Sequence, residues 1–426
     1  VNTLARLTIT VAAATLFASC GASQPPIGAP GAVPQGGPLA PTRKFGHLLT
    51  SPSYTVLYRF HKGNVNGSHP QAGLIDVNGT LYGTTVEGGP SGYGTVYSIS
   101  PTGTENVLHS FTGSPDGAAP EAELVDVNGT LYGTTFYGGV GAGTVYSISP
   151  SGVEQVVYSF HGGSDGYSPQ SELINVNGTL YGTTDGGGVS GCYCGTVFSL
   201  TTKGKHTVLH DFGPSLVSDG SVPRSGLIAV NGTLYGTTAY GGGTGCGGVG
   251  CGTVYSISPS GAEKVLYSFA AGADGEAPLG SLVDVNGTLY GTTAQGGGSG
   301  CELGVGCGTI YSITTNGIEK VVYSFAGDSD GAHPIEGLID LNGTLYGATI
   351  NGGGSGCTYP NYCGTVFSVS TGGTETVLHK FTYEPDGLKP WMRLLNVNAT
   401  LYGTTTSGGR GCPKRGHCGV VFALTP

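Results

Sequence analysis

Residues 77–85 read VNGTLYGTT, and the phrase returns nearly unchanged from Val127, Val176, Val230, Val285, Leu341 and Val397. A catalytic motif is needed once. Seven copies describe a building unit and place function in whatever varies between the copies. Asn78-Gly79 in the middle of the phrase is the signature of a type I′ turn, in which both central residues have positive φ. The residues around it therefore read as a tight hairpin, GLIDV (73–77) leading into TLYGTT (80–85). A glycine-rich loop then precedes a third strand, GTVYSIS (94–100), and Pro101-Thr102-Gly103 turns into a fourth, ENVLHSF (105–111).

Four strands repeated seven times give an all-β chain, a seven-bladed β-propeller with four-stranded blades. The ends of the repeat array support a closed ring. The last copy stops after its third strand, GVVFALTP (419–426), and an orphan strand, YTVLYRF (54–60), precedes the first. The orphan matches the fourth-strand pattern, so the N-terminal strand is expected to complete the C-terminal blade. Leu81 and Tyr82 read as blade-to-blade packing, and Gly83 as a place where two backbones approach closely. Asn398-Ala399 breaks the turn rule, so the last hairpin is expected to be strained or of another type.

Composition agrees with short strands and tight turns: 82 Gly, 24 Tyr and only 10% charged residues among 426. The net charge of −10 comes without a basic stripe, which excludes nucleic acid as a partner. Together LYGTT, GGxxGxGTVYSI and DGxxP resemble the tandem GloVer-type repeats of bacterial exported proteins with varied surface anchors, over residues 54–426. The resemblance implies the fold and export. It implies no catalytic residue.

The first residues are a different text. Arg6, the apolar run LTITVAAATLFA and Ser19-Cys20 read as a lipoprotein-type signal peptide over residues 1–19, with Cys20 acylated. Residues 20–53, rich in Pro, Gly and Ala, read as a semi-extended tether. The expected location is the outer membrane or cell surface, with periplasmic or secreted forms as alternatives, and the lipid is the expected membrane contact.

Loops joining strands two to three and four to one emerge on one face, called here the top face. The opposite face carries the tight turns. Ten cysteines sit in top-face loops as five local pairs, Cys192/Cys194, Cys246/Cys251, Cys301/Cys307, Cys357/Cys363 and Cys412/Cys418, read as disulfides in an exported chain. Their spacing is unlike a zinc site. The aspartates of the (D/N)GxxP loops read as turn residues, not calcium ligands. His109, His210 and His379 take the strand-four position that tyrosine fills in other blades, which says packing with a polar tip. His61, His69, His161 and His333 are in top-face loops and stay candidates for a site.

Residues just after the DGxxP proline should rim the central channel: Gln71, Glu121, Glu123, Gln170, Glu172, Arg224, Leu279, Glu336, Trp391 and Arg393. Of these Glu121, Glu123, Glu172, Arg224, Trp391 and Arg393 form the candidate ligand site, the three glutamates as an acidic cluster facing the single tryptophan. Carboxylates with an aromatic platform suit a carbohydrate or a cationic ligand. The expected protein is an exported, monomeric binding module with no cofactor, no metal and no catalytic residue, its surface ligand a glycan or a protein. Two other readings stay open, a polysaccharide lyase or glycosidase working in the channel, and a structural envelope component.

Overall fold

A computed structural model of the chain describes residues 52–61, 65–188, 193–213, 219–298, 300–301, 304–327, 329–354, 363–382, 385–409 and 418–426. The expected signal, tether and Cys20 lie outside them, apart from the tether's last two residues.

Among the described residues, twenty-eight strands form seven antiparallel four-stranded sheets, one per repeat, giving a seven-bladed propeller. In the first blade Ile75–Val77, Thr80–Thr85, Thr95–Ile99 and Glu105–Ser110 lie in chain order from the inside outward. The last blade is built from Leu395–Val397, Thr400–Thr405 and Val420–Thr425, with Ser53–Arg59 as its outer strand. That strand pairs antiparallel with Val420–Thr425, Ser53 opposite Thr425 and Arg59 opposite Val420.

Every blade-to-blade junction has the same core. The phenylalanine ending strand four meets, edge to face, the aromatic residue of strand three in the next blade: Phe60 on Tyr97, Phe111 on Tyr146, Phe212 on Tyr255 and Phe381 on Phe422, with centroids 5.1–5.4 Å apart. Such geometry favours aromatic pairs beyond their buried area. Tyr82 packs against Leu124, Leu131 and Tyr146 of the following blade, as the sequence suggested. Gly83 serves a different purpose from the expected one. A Cβ there would stand 2.6 Å from Tyr97 Oη and 2.9 Å from Leu74 Cδ2, so it admits side chains of its own blade, not a second backbone. Asn398 and Ala399, at φ 52° and 63°, keep the turn of the other six blades, with alanine held in a region that suits glycine.

A polar clamp also joins neighbouring blades and accounts for the (D/N)G loops. The strand-four tyrosine or histidine meets the loop carboxylate: Tyr158 Oη donates to Asp165 at 2.7 Å, Tyr267 to Asp274 at 2.7 Å and Tyr323 to Asp330 at 2.9 Å. His109, His210 and His379 lie 3.2, 3.2 and 3.4 Å from Asp116, Asp219 and Asp386. The first residue of the next strand four completes it, as His206 does beside Asp165 at 3.3 Å. These histidines and aspartates are architecture.

Candidate functional site

The channel residues are aimed by a device repeated in all seven blades. The residue before each DGxxP proline (His69, Ala119, Ser168, Val222, Ala277, His333 and Lys389) has φ between 53° and 60°. A non-glycine residue there is strained, Val222 most of all because it is β-branched. The strain is held by a bond across the blade boundary, for instance Ala119 N–H to Tyr93 C=O at 2.9 Å and Val222 N–H to Cys194 C=O at 2.7 Å. The proline then packs on the glycine that opens strand three of the preceding blade, as Pro120 does on Gly94. The residues after the proline are thereby delivered into the channel.

The structure brings all the expected rim residues to one cavity of ≈ 90 Å³. They form two tiers. At the mouth stand Gln71, Glu121, Gln170, Arg224, Leu279, Ile335 and Trp391, each directly after its proline. Gln170 donates to Glu121, and Arg224 Nε donates to Asp185 Oδ2 at 3.1 Å. Burial raises the Glu121 carboxyl, and Gln170 offsets part of the rise.

Deeper lie Glu123, Glu172, Glu336 and Arg393. Arg393 Nη2 donates to Glu123 Oε1 at 3.1 Å, while Ser281 Oγ donates to Glu172. The carboxylates of Glu123 and Glu172 occupy the space that side chains at Gly73 and Gly226 would fill. Glu123, chiefly, and then Glu172 and Glu336 hold the Arg393 guanidinium charged against burial. Burial pushes Glu336 up to about 8, helped by Glu172 and Glu123. Glu123, Glu172 and Arg393 also line a cavity of ≈ 520 Å³ bordered by the innermost strands. They form a charged septum between two vestibules. The expected cluster of three glutamates is therefore split: Glu121 belongs to the mouth with Gln170, and Glu123 and Glu172 belong to the septum.

Two features beside the mouth were missed by sequence reasoning. A cleft of ≈ 670 Å³ lies on blades two, three and four, lined by Tyr137, Tyr167, Tyr193, Tyr240, Asp185 and Arg224 among others. Another of ≈ 400 Å³ on the far side is lined by His333, Asn351, Lys389 and Trp391. Arg224 and Trp391 each belong to the mouth and to one of these clefts. His333 Nδ1 lies 2.9 Å from Asn351 Nδ2, His161 is 3.3 Å from Asp165, and the His69 amide bonds the Cys418 carbonyl.

Above the sheets, disulfides join Cys246 to Cys251 and Cys301 to Cys307. Cys194, Cys363 and Cys418 are disulfide-bonded as well, and their expected partners Cys192, Cys357 and Cys412 lie outside the described residues. Ligand-type atoms of His109, Asp116 and Glu154 fall within 4.8 Å of one another, the one such trio among the described residues. It is one blade's version of the interblade clamp.

A closed seven-bladed ring with one near-constant face of tight turns and one irregular face defines the class. Within it, the chain belongs to the Gloeobacter/Verrucomicrobia repeat family, whose model matches residues 45–250, 143–359 and 302–426. No curated protein sequence matches the chain. Among solved structures it is similar to a luciferin-regenerating enzyme (13% identity, 88% of this chain and 96% of that one, TM-score 0.44). It is also similar to a gluconolactonase from Xanthomonas campestris (15%, 88% and 89%, TM-score 0.43). A third similar structure is a puromycin hydrolase (10%, TM-score 0.50), where it covers 84% of this chain and 54% of that one. At these identities the likeness concerns the fold alone.

Proposed function

We propose that this protein is an exported, lipid-anchored binding module whose top face engages a glycan at the channel mouth. The observation that carries the reading is the contrast at one structural position. Seven blades place Gln, Glu, Gln, Arg, Leu, Ile and Trp directly after the same proline, while the opposite face repeats one turn seven times. A neutral or weakly charged polyhydroxy ligand suits a mouth that pairs amide, carboxylate and guanidinium groups with one indole. Disulfide-bonded cysteines fit an oxidising compartment. Among the described residues no helix is long and apolar enough to cross a membrane, and the expected anchor is the lipid on Cys20.

The cavity at the mouth is too small to enclose a sugar chain, so the ligand would lie across it. A glycan array tests this with the intact chain, the Trp391→Ala variant and a Glu121→Gln, Arg224→Ala double variant. Binding that both variants lose, at unchanged melting temperature, supports the reading. Binding indifferent to both moves the site elsewhere.

A polysaccharide-cleaving enzyme is the second reading, and Glu336 is its basis. Burial, helped by Glu172 and Glu123, raises its carboxyl to about 8, the direction a general acid requires. Release of reducing ends or unsaturated products from an array-positive polysaccharide, abolished by Glu336→Gln, would favour it.

A further inference from the structure

We propose that the cleft on blades two, three and four is a subsite for a neutral oligosaccharide, laid along a wall of tyrosines. This rests on the top-face reading above and extends it outward from the channel mouth through Arg224, which lines both.

Three tyrosines stand exposed in this cleft: Tyr137 at 57%, Tyr193 at 78% and Tyr240 at 45%. Single exposed apolar residues need no explanation, but several in one concave place do. The backbone shows how they are held. In each blade a short bridge pairs the (D/N)GxxP loop with the loop after strand two. Six of these bridges pair Ser68 with Glu87, Ala118 with Tyr137, Tyr167 with Gly186, Ser221 with Tyr240, Glu276 with Gln295 and Ala332 with Asn351. Of these loop-to-loop bridges, those of blades two, three and four contain an aromatic residue and the other four do not. In each case the partner is small, Ala118, Gly186 or Ser221. The Tyr167 ring fills the place that a side chain at Gly186 would take. Tyr193 then meets Tyr167 edge to face, centroids 5.8 Å apart, and Phe136 supports Tyr137 at 4.5 Å.

The chemistry selects the occupant. A tyrosine face packs on the C–H face of a pyranose, and its phenol exchanges hydrogen bonds with ring hydroxyls. Asp185 and Arg224 are the only charged groups among the described lining residues. They neutralise each other at 3.1 Å, which leaves no net charge to hold a polyanion. The pair still offers guanidinium donors, half exposed, to sugar oxygens. A volume of ≈ 670 Å³ lies in the range of ligand clefts and suits a short run of sugar rings.

Calorimetric titration of the full chain with neutral hexasaccharides (β-1,4-glucan, β-1,4-xylan, β-1,4-mannan and α-1,4-glucan) and with an oligogalacturonate tests the assignment. The variants are Tyr137→Ala, Tyr193→Ala, Tyr240→Ala and, as an exposed tyrosine outside the cleft, Tyr93→Ala. The expected result is binding of at least one neutral hexasaccharide, weakened about five- to tenfold by each cleft substitution and unchanged in Tyr93→Ala. Binding lost in Trp391→Ala but indifferent to all three cleft tyrosines would overturn the subsite and leave the channel-mouth reading standing. Preference for the oligogalacturonate, or no binding of any neutral hexasaccharide, would overturn it too. The rival occupant is the chain's own proline-rich segment, since such sequences dock in aromatic grooves. A synthetic peptide of residues 24–42 that binds through the same tyrosines while the sugars do not would assign the cleft to it. Circular dichroism of each variant separates lost binding from lost fold.

Discussion

Arg393→Leu removes the only cation of the septum. In the intact protein its guanidinium bonds Glu123 at 3.1 Å and is held charged by Glu123, Glu172 and Glu336 together. Without it, two or three carboxyls face one another across the channel. Removing one partner of a buried pair costs about 3–5 kcal/mol. The Arg393 side chain is 35% exposed to the lumen, which favours the lower end of that range. A loss of about 3 kcal/mol in a ring of this size is a fall of about 5 °C in melting temperature at pH 8. The deficit should shrink at pH 5, where Glu336, already pushed up to about 8, and Glu123, also raised by burial, take up protons more readily. Adding Glu123→Leu should recover much of the loss, because an apolar pair substitutes for a buried ion pair at little cost. Scanning calorimetry of the two variants at both pH values is sufficient. An Arg393→Leu protein that melts within about 1 °C of the parent at pH 8 would refute the septum as a charge-paired layer.

Stability should also fall as pH rises from 5 to 8. Burial first, then the neighbouring Asp116, Asp219, Asp274 and Asp330, push Glu154, Glu263, Glu319 and Glu375 up to about 7. A carboxyl whose pKa is raised by folding gives stability that is complete below its unfolded value and is lost as pH passes its folded value. These clamp glutamates are only partly buried, so solvent screening keeps each effect well below the full ~1.4 kcal/mol per pKa unit; a melting temperature that rises from pH 5 to 8 would contradict the clamp. Gly236→Ala would bring a Cβ within 2.6 Å of Tyr255 Oη and 2.9 Å of Leu227 Cδ2, and should cost about 1–3 kcal/mol in denaturant titration. Reducing Cys246–Cys251 and Cys301–Cys307 releases loops closed over five and six positions, each worth about 2 kcal/mol at most. Hydrogen exchange should then quicken in the top-face loops and stay slow in Thr253–Ile257 and Thr309–Thr314.

The fold was legible because its determinants are local. Asn-Gly turns and strand periodicity act within a few residues; the one long-range pairing, Ser53–Arg59 with Val420–Thr425, showed because the array carries a spare fourth strand at one end and lacks one at the other. The rim was legible for a similar reason: one proline fixes where the next residues go. The division of that rim into mouth and septum was not, since Glu121 and Glu123 are two residues apart and their partners come from other blades. Gln170 takes the first and Arg393 the second. The interblade clamp left a trace that could have been used, the seven-residue step from His109 to Asp116, Tyr158 to Asp165 and Tyr267 to Asp274. Tyr137, Tyr193 and Tyr240 gave no such trace. They line one cleft from three adjacent blades, and nothing in the spacing of the letters encodes that.

The central claim, that one face of this ring is its binding face, is tested most directly by a hydrogen-exchange footprint on the full chain. Exchange is measured with and without the array-positive glycan. Protection is expected in the loops 219–225, 239–243 and 385–393, around Arg224, Tyr240 and Trp391, and none in the Asn-Gly hairpins at 78–79, 128–129 or 286–287. Protection confined to those hairpins, or spread evenly over both faces, would contradict it.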